Sequence, residues 1–213
     1  LKLLCPAAVG GPSPPRAMAA AEDDERRDSS PPAKRRRGQA ELLVERFQLE
    51  PLVPEGGFYR RTHYSAMSTT APYGERRSIN AILYLMTRTT FSSLHRLKMD
   101  EVWHFYHGSP VVIVELDRNT PGQHRQTRLG CVSEGLCPQH TVPAGTWFGA
   151  YQEGDFALVG CTCGPAFEIE DFEHGQRAAL LAEFPEARAA VEKLTHPERA
   201  GDRATNGEIG GAA

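Results

Sequence analysis

His95 and Glu101 are the two residues whose types and spacing could do chemistry in this chain. They lie in the stretch SSLHRLKMDEVWHFYHG, which runs from Ser92 to Gly108. Residues an even number apart on a strand share a face, so a hairpin around residues 98–100 would turn His95, Glu101 and Trp103 toward one pocket. An imidazole beside a carboxylate is a usual acid and base arrangement, because the carboxylate fixes the ring tautomer. The stretch therefore predicts a pocket with a proton-handling pair.

The composition excludes several classes of protein. The chain has 213 residues and a formal net charge of -3, so it has room for one domain of roughly 150 residues with a real core. Its basic residues are spread out, and we expect no specific nucleic-acid partner. No apolar run reaches the ~18 residues that a membrane span needs, so we expect no membrane partner. The five cysteines form an odd set without secretory spacing, which favours a reducing compartment.

The two ends of the chain differ from its middle. Residues 1–39 are rich in Pro, Ser, Ala, Gly and charge, and could bury too little surface to offset the entropy of ordering. We predict a disordered tail there and another over residues 196–213. Met18 looks like a translation start, which leaves residues 1–17 as an upstream piece, an artefact or part of a transit peptide.

A short basic cluster, Lys34–Arg37 in PPAKRRRG, lies in the first of these tails. Clusters of this kind bind nuclear import receptors, so an import receptor is a predicted partner. A solvated charge run is the alternative interpretation. We predict a protein of the cytoplasm, the nucleus or both, with an organelle as the remaining alternative.

Residues 40–195 carry the pattern of one β-rich domain. Ala40–Leu52 has apolar residues at helical spacing before Pro51, which predicts a short amphipathic helix. A strand is predicted over residues 58–63 and a polar loop over residues 66–76. From Ser78 onward, short apolar or alternating segments recur about every eight to twelve residues between Gly, Pro, Asn and Asp, as in a sandwich or small barrel. After residue 173 the pattern turns helical, with a break at Pro185.

Four motifs in this domain resemble those of the cupin superfamily, and in particular its type-5 branch, a domain of unknown function. They are PEGGFYR at 54–60, SSLHRLKMDEVWHFYHG at 92–108, VPAGTWFGA at 142–150 and LVGCTCGPAFEIEDFE at 158–173. The resemblance covers residues 41–184 and implies an all-β double-stranded β-helix, the RmlC-like jelly-roll barrel. It also implies a homodimer, because pairing would cover an open edge strand.

The metal ligands of this superfamily are only half present. A cupin that binds iron, manganese or zinc uses two His and a Glu from the first motif and a His from the second. The matching positions here are His95, Leu97, Glu101 and Phe148. Catalytic zinc sites keep at least three protein ligands, so we predict no cofactor. A dioxygenase-like cupin with a divalent metal on His95 and Glu101 is kept as an alternative.

The remaining constellation favours a metal-free pocket lined by aromatic residues. Metal-free sugar-nucleotide epimerases of the superfamily use a His to move a proton α to a carbonyl, so the resemblance implies isomerase or epimerase chemistry by His95 and Glu101. We predict a small polar or anionic organic ligand, such as a sugar derivative. A non-enzymatic ligand-binding or nuclear regulatory module is the other alternative. The predicted ligand-binding residues are Glu55, Arg60, Thr62, Tyr84, Trp103, Phe105, Trp147 and Phe167.

Four cysteines raise one further alternative. Cys161 and Cys163 share a strand face, and with Cys131 and Cys137 they could be drawn as a zinc site. The spacings C-x-C and C-x5-C do not match the usual C-x2-C knuckles. We therefore predict that they are small buried hydrophobes.

Overall fold

Two antiparallel sheets enclose a barrel in a computed structural model of the protein, which describes residues 38–197. The predicted tails and the basic cluster Lys34–Arg37 lie outside the described residues, apart from the ends at 38–39 and 196–197. The elements, in chain order, are α1 (Gln39–Phe47), β1 (Glu50–Pro51), β2 (Phe58–Tyr64), β3 (Ser68–Ala71), β4 (Gly74–Arg77), β5 (Asn80–Thr87), β6 (Ser92–Leu97), β7 (Asp100–Gly108), β8 (Val111–Leu116), β9 (His124–Leu129), β10 (Gln139–Val142), β11 (Phe148–Gln152), β12 (Phe156–Gly164), β13 (Phe172–His174), α2 (Arg177–Glu183) and α3 (Arg188–Lys193).

The strand order confirms the all-β jelly roll. The first sheet has the order β1-β2-β5-β12-β7-β10 and the second has the order β13-β6-β11-β8-β9. Most neighbours in each sheet are far apart in sequence, as in β5 beside β12, so the chain winds back and forth between the two sheets. Apolar side chains of both inner faces meet in one buried cluster. Inward and outward residues alternate along each strand, which is why short alternating segments were the main signal.

The helices pack on the outside of the barrel. Leu43 and Phe47 of α1 contact a buried cluster on the outer face of the first sheet that includes Leu85 and Leu158. The C-terminal helices α2 and α3 cover the outer face of the second sheet. None of the helices in residues 38–197 is both long and apolar enough to span a membrane.

The chemistry-bearing stretch does not form the hairpin that its sequence suggested. Strand β6 belongs to the second sheet and β7 to the first. The turn between them, at residues 98–99, carries the chain around a corner of the barrel instead of pairing the two strands. His95 and Glu101 therefore reach the interior from opposite sheets. Both side chains face the interior as expected, but from opposite walls of the barrel and not from one hairpin.

The predicted polar loop at residues 66–76 contains a two-stranded hairpin formed by β3 and β4. It is a separate small sheet that pairs with neither of the two large ones. Most of its residues are exposed on both faces. Apolar and polar residues therefore do not alternate along β3 and β4, so these strands lack the usual sequence signal.

The described cysteines are in mixed states. Cys131, Cys161 and Cys163 are free thiols. Cys161 and Cys163 are buried as predicted, whereas Cys131 is exposed, so the prediction of burial is wrong for Cys131. Cys137 is disulfide-bonded.

Candidate functional site

Aromatic side chains fill the middle of the barrel. Trp103 on β7, Tyr84 on β5 and Phe148 on β11 each expose no more than 1% of their surface. The indole of Trp103 meets the ring of Tyr84 edge-on at a centroid distance of 5.9 Å and that of Phe148 at 6.4 Å. Such edge-to-face pairs are attractive, because a positive ring edge meets a negative face. These three rings form a plug, while Phe105 and Phe167 are half-buried beside it.

Glu101 lies beside this plug and is only 8% exposed. Its Oε2 accepts a hydrogen bond of 2.7 Å from Nε1 of Trp103. Its Oε1 lies 3.7 Å from Sγ of Cys163, which is its register partner on β12. A buried carboxylate with so few donors is costly. The pKa of Glu101 is raised to about 8, first by burial and next by the negative charge of Glu55, while the hydrogen bonds from Trp103 and Cys163 lower it.

Glu55 reaches the same region from the loop between β1 and β2. Its carbonyl oxygen accepts a hydrogen bond of 2.8 Å from the backbone N–H of Ser93, and its Oε1 accepts one of 2.6 Å from Oγ of Ser92. Gly56 follows with a φ of +110°, and a Cβ there would lie 2.3 Å from the carbonyl oxygen of Phe91. The Glu-Gly-Gly sequence therefore lets the loop press against β6.

The two carboxyl groups and the side chains around them form what we call the acidic site. The hydroxyl of Tyr84 belongs to it and donates a hydrogen bond of 2.9 Å to the carbonyl oxygen of Gly56. Burial and the charge of Glu55 raise the pKa of Tyr84 well above its usual value. The members of the acidic site are Glu55, Tyr84, Ser92, Glu101, Trp103, Cys161 and Cys163.

His95 is almost fully buried between two phenyl rings. The centroid of its ring lies 4.2 Å from that of Phe148 and 5.1 Å from that of Phe172. Its Nδ1 is 2.7 Å from the carbonyl oxygen of Ser93. A carbonyl only accepts, so Nδ1 carries the proton and Nε2 is the basic nitrogen. No hydrogen bond within residues 38–197 joins His95 to Glu101, so the backbone and not the carboxylate fixes the tautomer.

The residues at the superfamily's metal-ligand positions do not fit a divalent metal. Leu97 and Phe148 are buried apolar side chains, and Phe148 is the register partner of His95. Within residues 38–197, no group of three His, Cys, Asp or Glu side chains could hold a metal ion. Two donors fall short of a catalytic centre.

Purified protein is therefore expected to carry less than about a tenth of an equivalent of iron, manganese, nickel or zinc, because two protein donors hold such ions weakly. Mass spectrometry of the elements, after dialysis against a chelator, measures this content. A full equivalent of one metal that survives dialysis would contradict the expectation.

Arg60 and Thr62, two predicted ligand-binding residues, lie outside the barrel. Tyr59 pairs with the interior residue Tyr84, so the next residue along β2 faces outward. The guanidinium of Arg60 donates a hydrogen bond of 3.1 Å to the carbonyl oxygen of Phe47. Thr62 is exposed as well. The side chain that suggested an anionic ligand is therefore not at the acidic site.

Trp147, another predicted ligand-binding residue, also lies outside the barrel. Because Phe148 faces inward, its neighbour Trp147 faces outward and packs between the second sheet and the C-terminal helices. The guanidinium of Arg96 lies 4.6 Å from its ring centroid. Alternation within the Gly-Thr-Trp-Phe segment cannot place both aromatic residues inside. Glu55, Tyr84, Trp103, Phe105 and Phe167 are the predicted ligand-binding residues that the structure does bring to the interior.

Two cavities of the described residues lie outside the barrel. One, of about 160 Å³, is between the second sheet and the C-terminal helices and is lined by residues such as His124 and Leu194. The other is an open groove of about 630 Å³ beside Arg88 and Phe91. Neither cavity is lined by a member of the acidic site.

The β3–β4 hairpin brings Tyr73 onto the barrel interior. This ring lies in the turn between the two strands, is half-buried and packs against the interior cluster. Its hydroxyl oxygen is buried without a hydrogen-bond partner. Burial raises the pKa of Tyr73, and the charge of Asp171 adds to the rise while Arg76 lowers it. The ring packs against the same interior cluster as Cys163, the thiol that contacts Glu101.

A buried ion pair ties this hairpin to the segment before β13. The guanidinium of Arg76 donates hydrogen bonds of 2.6 and 2.8 Å to the two carboxylate oxygens of Asp171. Nζ of Lys98 lies 3.3 Å from the same carboxylate, whose side chain is fully buried. Burial alone would raise the pKa of Asp171, but Arg76 and Lys98 outweigh it and hold the pKa below its usual value.

A hydrogen-bonded His–carboxylate pair exists elsewhere in the interior, at positions that were not among the predicted site residues. Nε2 of His140 lies 2.9 Å from Oε1 of Glu115, a residue that is 3% exposed. His140 pairs with Trp103 in register and Glu115 pairs with Phe148, so the contact joins the two sheets. His140 is two residues before Val142, which faces the interior. This even spacing is the sequence signal that could have predicted His140 to face the interior as well.

Comparisons with known proteins agree with this architecture. A family model described as "Cupin superfamily (DUF985)" matches residues 41–175. A hypothetical protein from Leishmania major is similar in structure, with a TM-score of 0.68, 29% identity, and coverage of 75% of this chain and 100% of that one. A crystal structure from Shewanella oneidensis has a TM-score of 0.67, 35% identity, and coverage of 75% and 98%. No curated protein matches. This chain belongs to the cupin superfamily, in the family of unknown function DUF985.

Proposed function

We propose that this cupin binds a small organic molecule at the acidic site and transfers a proton to or from it. The observation that carries the proposal is the buried carboxyl of Glu101, whose pKa is raised to about 8 beside a second carboxyl, that of Glu55. A general acid is most effective when its pKa lies near the working pH. A negative charge beside a buried carboxyl favours the protonated form of that carboxyl, which can then act as an acid.

Each group has a role in an isomerase or epimerase type of reaction. The basic Nε2 of His95 removes a proton from a carbon next to a carbonyl group, and protonated Glu101 gives its proton to the carbonyl oxygen. The reverse transfers, with the new C–H bond formed at another position or face, complete the reaction without an external oxidant or reductant. The indole N–H of Trp103 orients the carboxyl of Glu101.

The ligand of this proposal is small and polar. The aromatic plug of Tyr84, Trp103 and Phe148 occupies the middle of the barrel, so we place the ligand at the rim, next to the half-buried Phe167. A sugar derivative has suitable polarity. Homodimerisation stays a prediction, as does nuclear import through Lys34–Arg37.

Deuterium labelling tests the chemistry even while the substrate is unidentified. The protein is incubated with a mixture of small metabolites in D₂O, and compounds that gain a carbon-bound deuterium are identified by mass spectrometry. Glu101→Gln is expected to slow the labelling by about 10² to 10⁴-fold, because general acid catalysis contributes that much. His95→Asn should slow it similarly, whereas Glu75→Gln at an exposed position should not.

The outcomes of this labelling experiment distinguish an enzyme from a ligand-binding module without chemistry. Labelling that proceeds equally in wild type and in Glu101→Gln would contradict the proposed role of Glu101. A complete lack of labelling would favour the second candidate, a ligand-binding module without chemistry, for which the fully buried aromatic plug is the supporting observation.

A further inference from the structure

The open groove on the outside of the barrel has the size of a small-molecule site. This outer groove, of about 630 Å³, is lined by residues 88–91, residues 151–153 and Lys193. It lies where the turn between β5 and β6, the end of β11 and the end of α3 meet. Pockets for small organic ligands usually have volumes of about 300 to 1,000 Å³. The outer groove is therefore large enough for a ligand of its own.

Lys193 brings a positive charge without a counter-charge to the outer groove. The two carboxylates of the neighbouring β11–β12 turn each have a guanidinium partner, since Asp155 pairs with Arg88 and Glu153 pairs with Arg128. Within residues 38–197, Lys193 takes part in no ion pair. The charges of these five side chains sum to one positive charge, which favours an anionic ligand.

An aromatic ring separates this groove from the smaller cavity of about 160 Å³. Both cavities are lined by Tyr151 and Lys193, and Nζ of Lys193 lies 3.0 Å from the centroid of the Tyr151 ring. The smaller cavity is also lined by Glu186 and His124, which do not line the outer groove. We therefore place an anion in the outer groove and not in the smaller cavity.

Threonine hydroxyls add a hydrogen-bond donor to the outer groove. Oγ1 of Thr87 lies 3.3 Å from Oγ1 of Thr89 and 3.2 Å from Oγ1 of Thr90. Each hydroxyl carries one hydrogen, and two contacts use two of the three hydrogens. One hydroxyl hydrogen is left to donate to an anionic group.

The wall of the outer groove also contains an acceptor without a donor. Gln152 uses its amide nitrogen to donate a hydrogen bond to the carbonyl oxygen of Thr87. Its Oε1 is buried and has no hydrogen-bond partner among the described residues. A buried acceptor that is left unbonded costs free energy. A hydroxyl group is the kind of ligand donor that would satisfy it.

We propose that the outer groove binds a hydroxylated organic anion of the sugar phosphate type. Lys193 and the threonine hydroxyls hold the phosphate, and Gln152 accepts a hydrogen bond from a sugar hydroxyl. The half-buried rings of Phe91 and Tyr151 contact the carbon skeleton. This site is separate from the acidic site, and its ligand is independent of the proton transfer proposed there.

Calorimetry on the full chain tests the proposal with glucose 6-phosphate, glucose and inorganic phosphate. Glucose 6-phosphate is expected to bind at least about tenfold more tightly than either of the others, because only this probe uses both the charge and the acceptor. Its affinity should fall as the salt concentration rises, since salt screens an exposed charge such as that of Lys193.

Three variants assign the contacts. Lys193→Gln should weaken the binding of glucose 6-phosphate at least about tenfold, because it removes a charged hydrogen-bond donor. Gln152→Leu should weaken it about fivefold and leave the binding of inorganic phosphate unchanged. Arg46→Gln, which removes an exposed positive charge on α1, is the matched control and should change neither affinity.

The outcomes are distinguishable from those of the proposed function. A lack of glucose 6-phosphate binding, equal binding of glucose 6-phosphate and either other probe, or an unchanged affinity in Lys193→Gln would each overturn the inference. Glu101→Gln is expected to bind glucose 6-phosphate like the wild type, and a loss of binding there would place the ligand at the acidic site instead. A failure of the Glu101-dependent labelling would overturn the proposed chemistry and leave the outer groove standing.

Discussion

Glu101→Gln is expected to be about as stable as the wild type near pH 5 and more stable by about 3 kcal/mol at pH 9. Folding raises the pKa of Glu101 from 4.5 to about 8, so the folded state holds the proton more tightly than the unfolded state. The stability that this group contributes is complete below pH 4.5 and is lost as the pH rises to 8. Gln cannot ionise, yet its side-chain oxygen can still accept the hydrogen bond from Trp103.

Urea unfolding of the two proteins between pH 5 and pH 9 measures this difference. Other groups titrate in the same range, so the informative quantity is the difference in the free energy of unfolding between wild type and variant at each pH. Glu75→Gln, an exposed carboxyl on β4, serves as the matched control and should follow the wild type. A gap that does not change with pH would contradict the buried and protonated state of Glu101.

Asp171→Asn is expected to lower the free energy of unfolding by about 3 kcal/mol, because it leaves Arg76 without its buried counter-charge. It should also expose the thiol of Cys163, which is 4% exposed in the intact protein. Tyr73, on the hairpin that this ion pair holds, packs against the interior cluster that includes Cys163. The rate of labelling by a thiol reagent, read at Cys163 by mass spectrometry, reports the movement.

A matched control comes from the exposed ion pair of Arg88 and Asp155, whose side chains are 76% and 73% exposed. Asp155→Asn should cost less than about 1 kcal/mol, as surface pairs usually do. It should leave the labelling of Cys163 unchanged. If Asp171→Asn behaved like this control, the hairpin would not be held by the buried pair.

Local signals in the sequence predict a sandwich or small barrel, because alternating segments between turn residues mark most of its strands, and the resemblance to the cupin motifs narrows this to a jelly roll. Pro185 follows the end of α2 as predicted, whereas α1 ends at Phe47 and Pro51 already lies in β1. The β3–β4 hairpin was not predicted because its residues are polar on both faces. The pairing of β6 with β7 was wrong because two consecutive strands with a short turn can also belong to opposite sheets.

The candidate site was predicted only in part. His95, Glu101 and Trp103 do line the interior, since even spacing fixes the face of each strand. Their partners could not be read from the same pattern, because they come from distant segments. Glu55 meets Ser92 across 37 positions and Arg76 meets Asp171 across 95.

Aromatic residues were the least predictable part of the site. Trp147 and Phe148 are adjacent, so only one can face inward, and the sequence alone does not say which. The buried register partner of His95 is Phe148, which places Trp147 under the C-terminal helices. The same alternation places Arg60 outside the barrel. This position removes the support that Arg60 gave to an anionic ligand.

The protonation of Glu101 can be measured through its neighbour. The chain has two tryptophans, so Trp147→Phe leaves Trp103, whose indole N–H donates to the carboxyl of Glu101, as the single emitter. A titration of its fluorescence from pH 4 to pH 10 is expected to show a transition with a midpoint near 8 that disappears when Glu101→Gln is added. A midpoint near 4.5, the usual value for a Glu, or a transition that persists in the double variant would contradict a proton-holding carboxyl in the barrel.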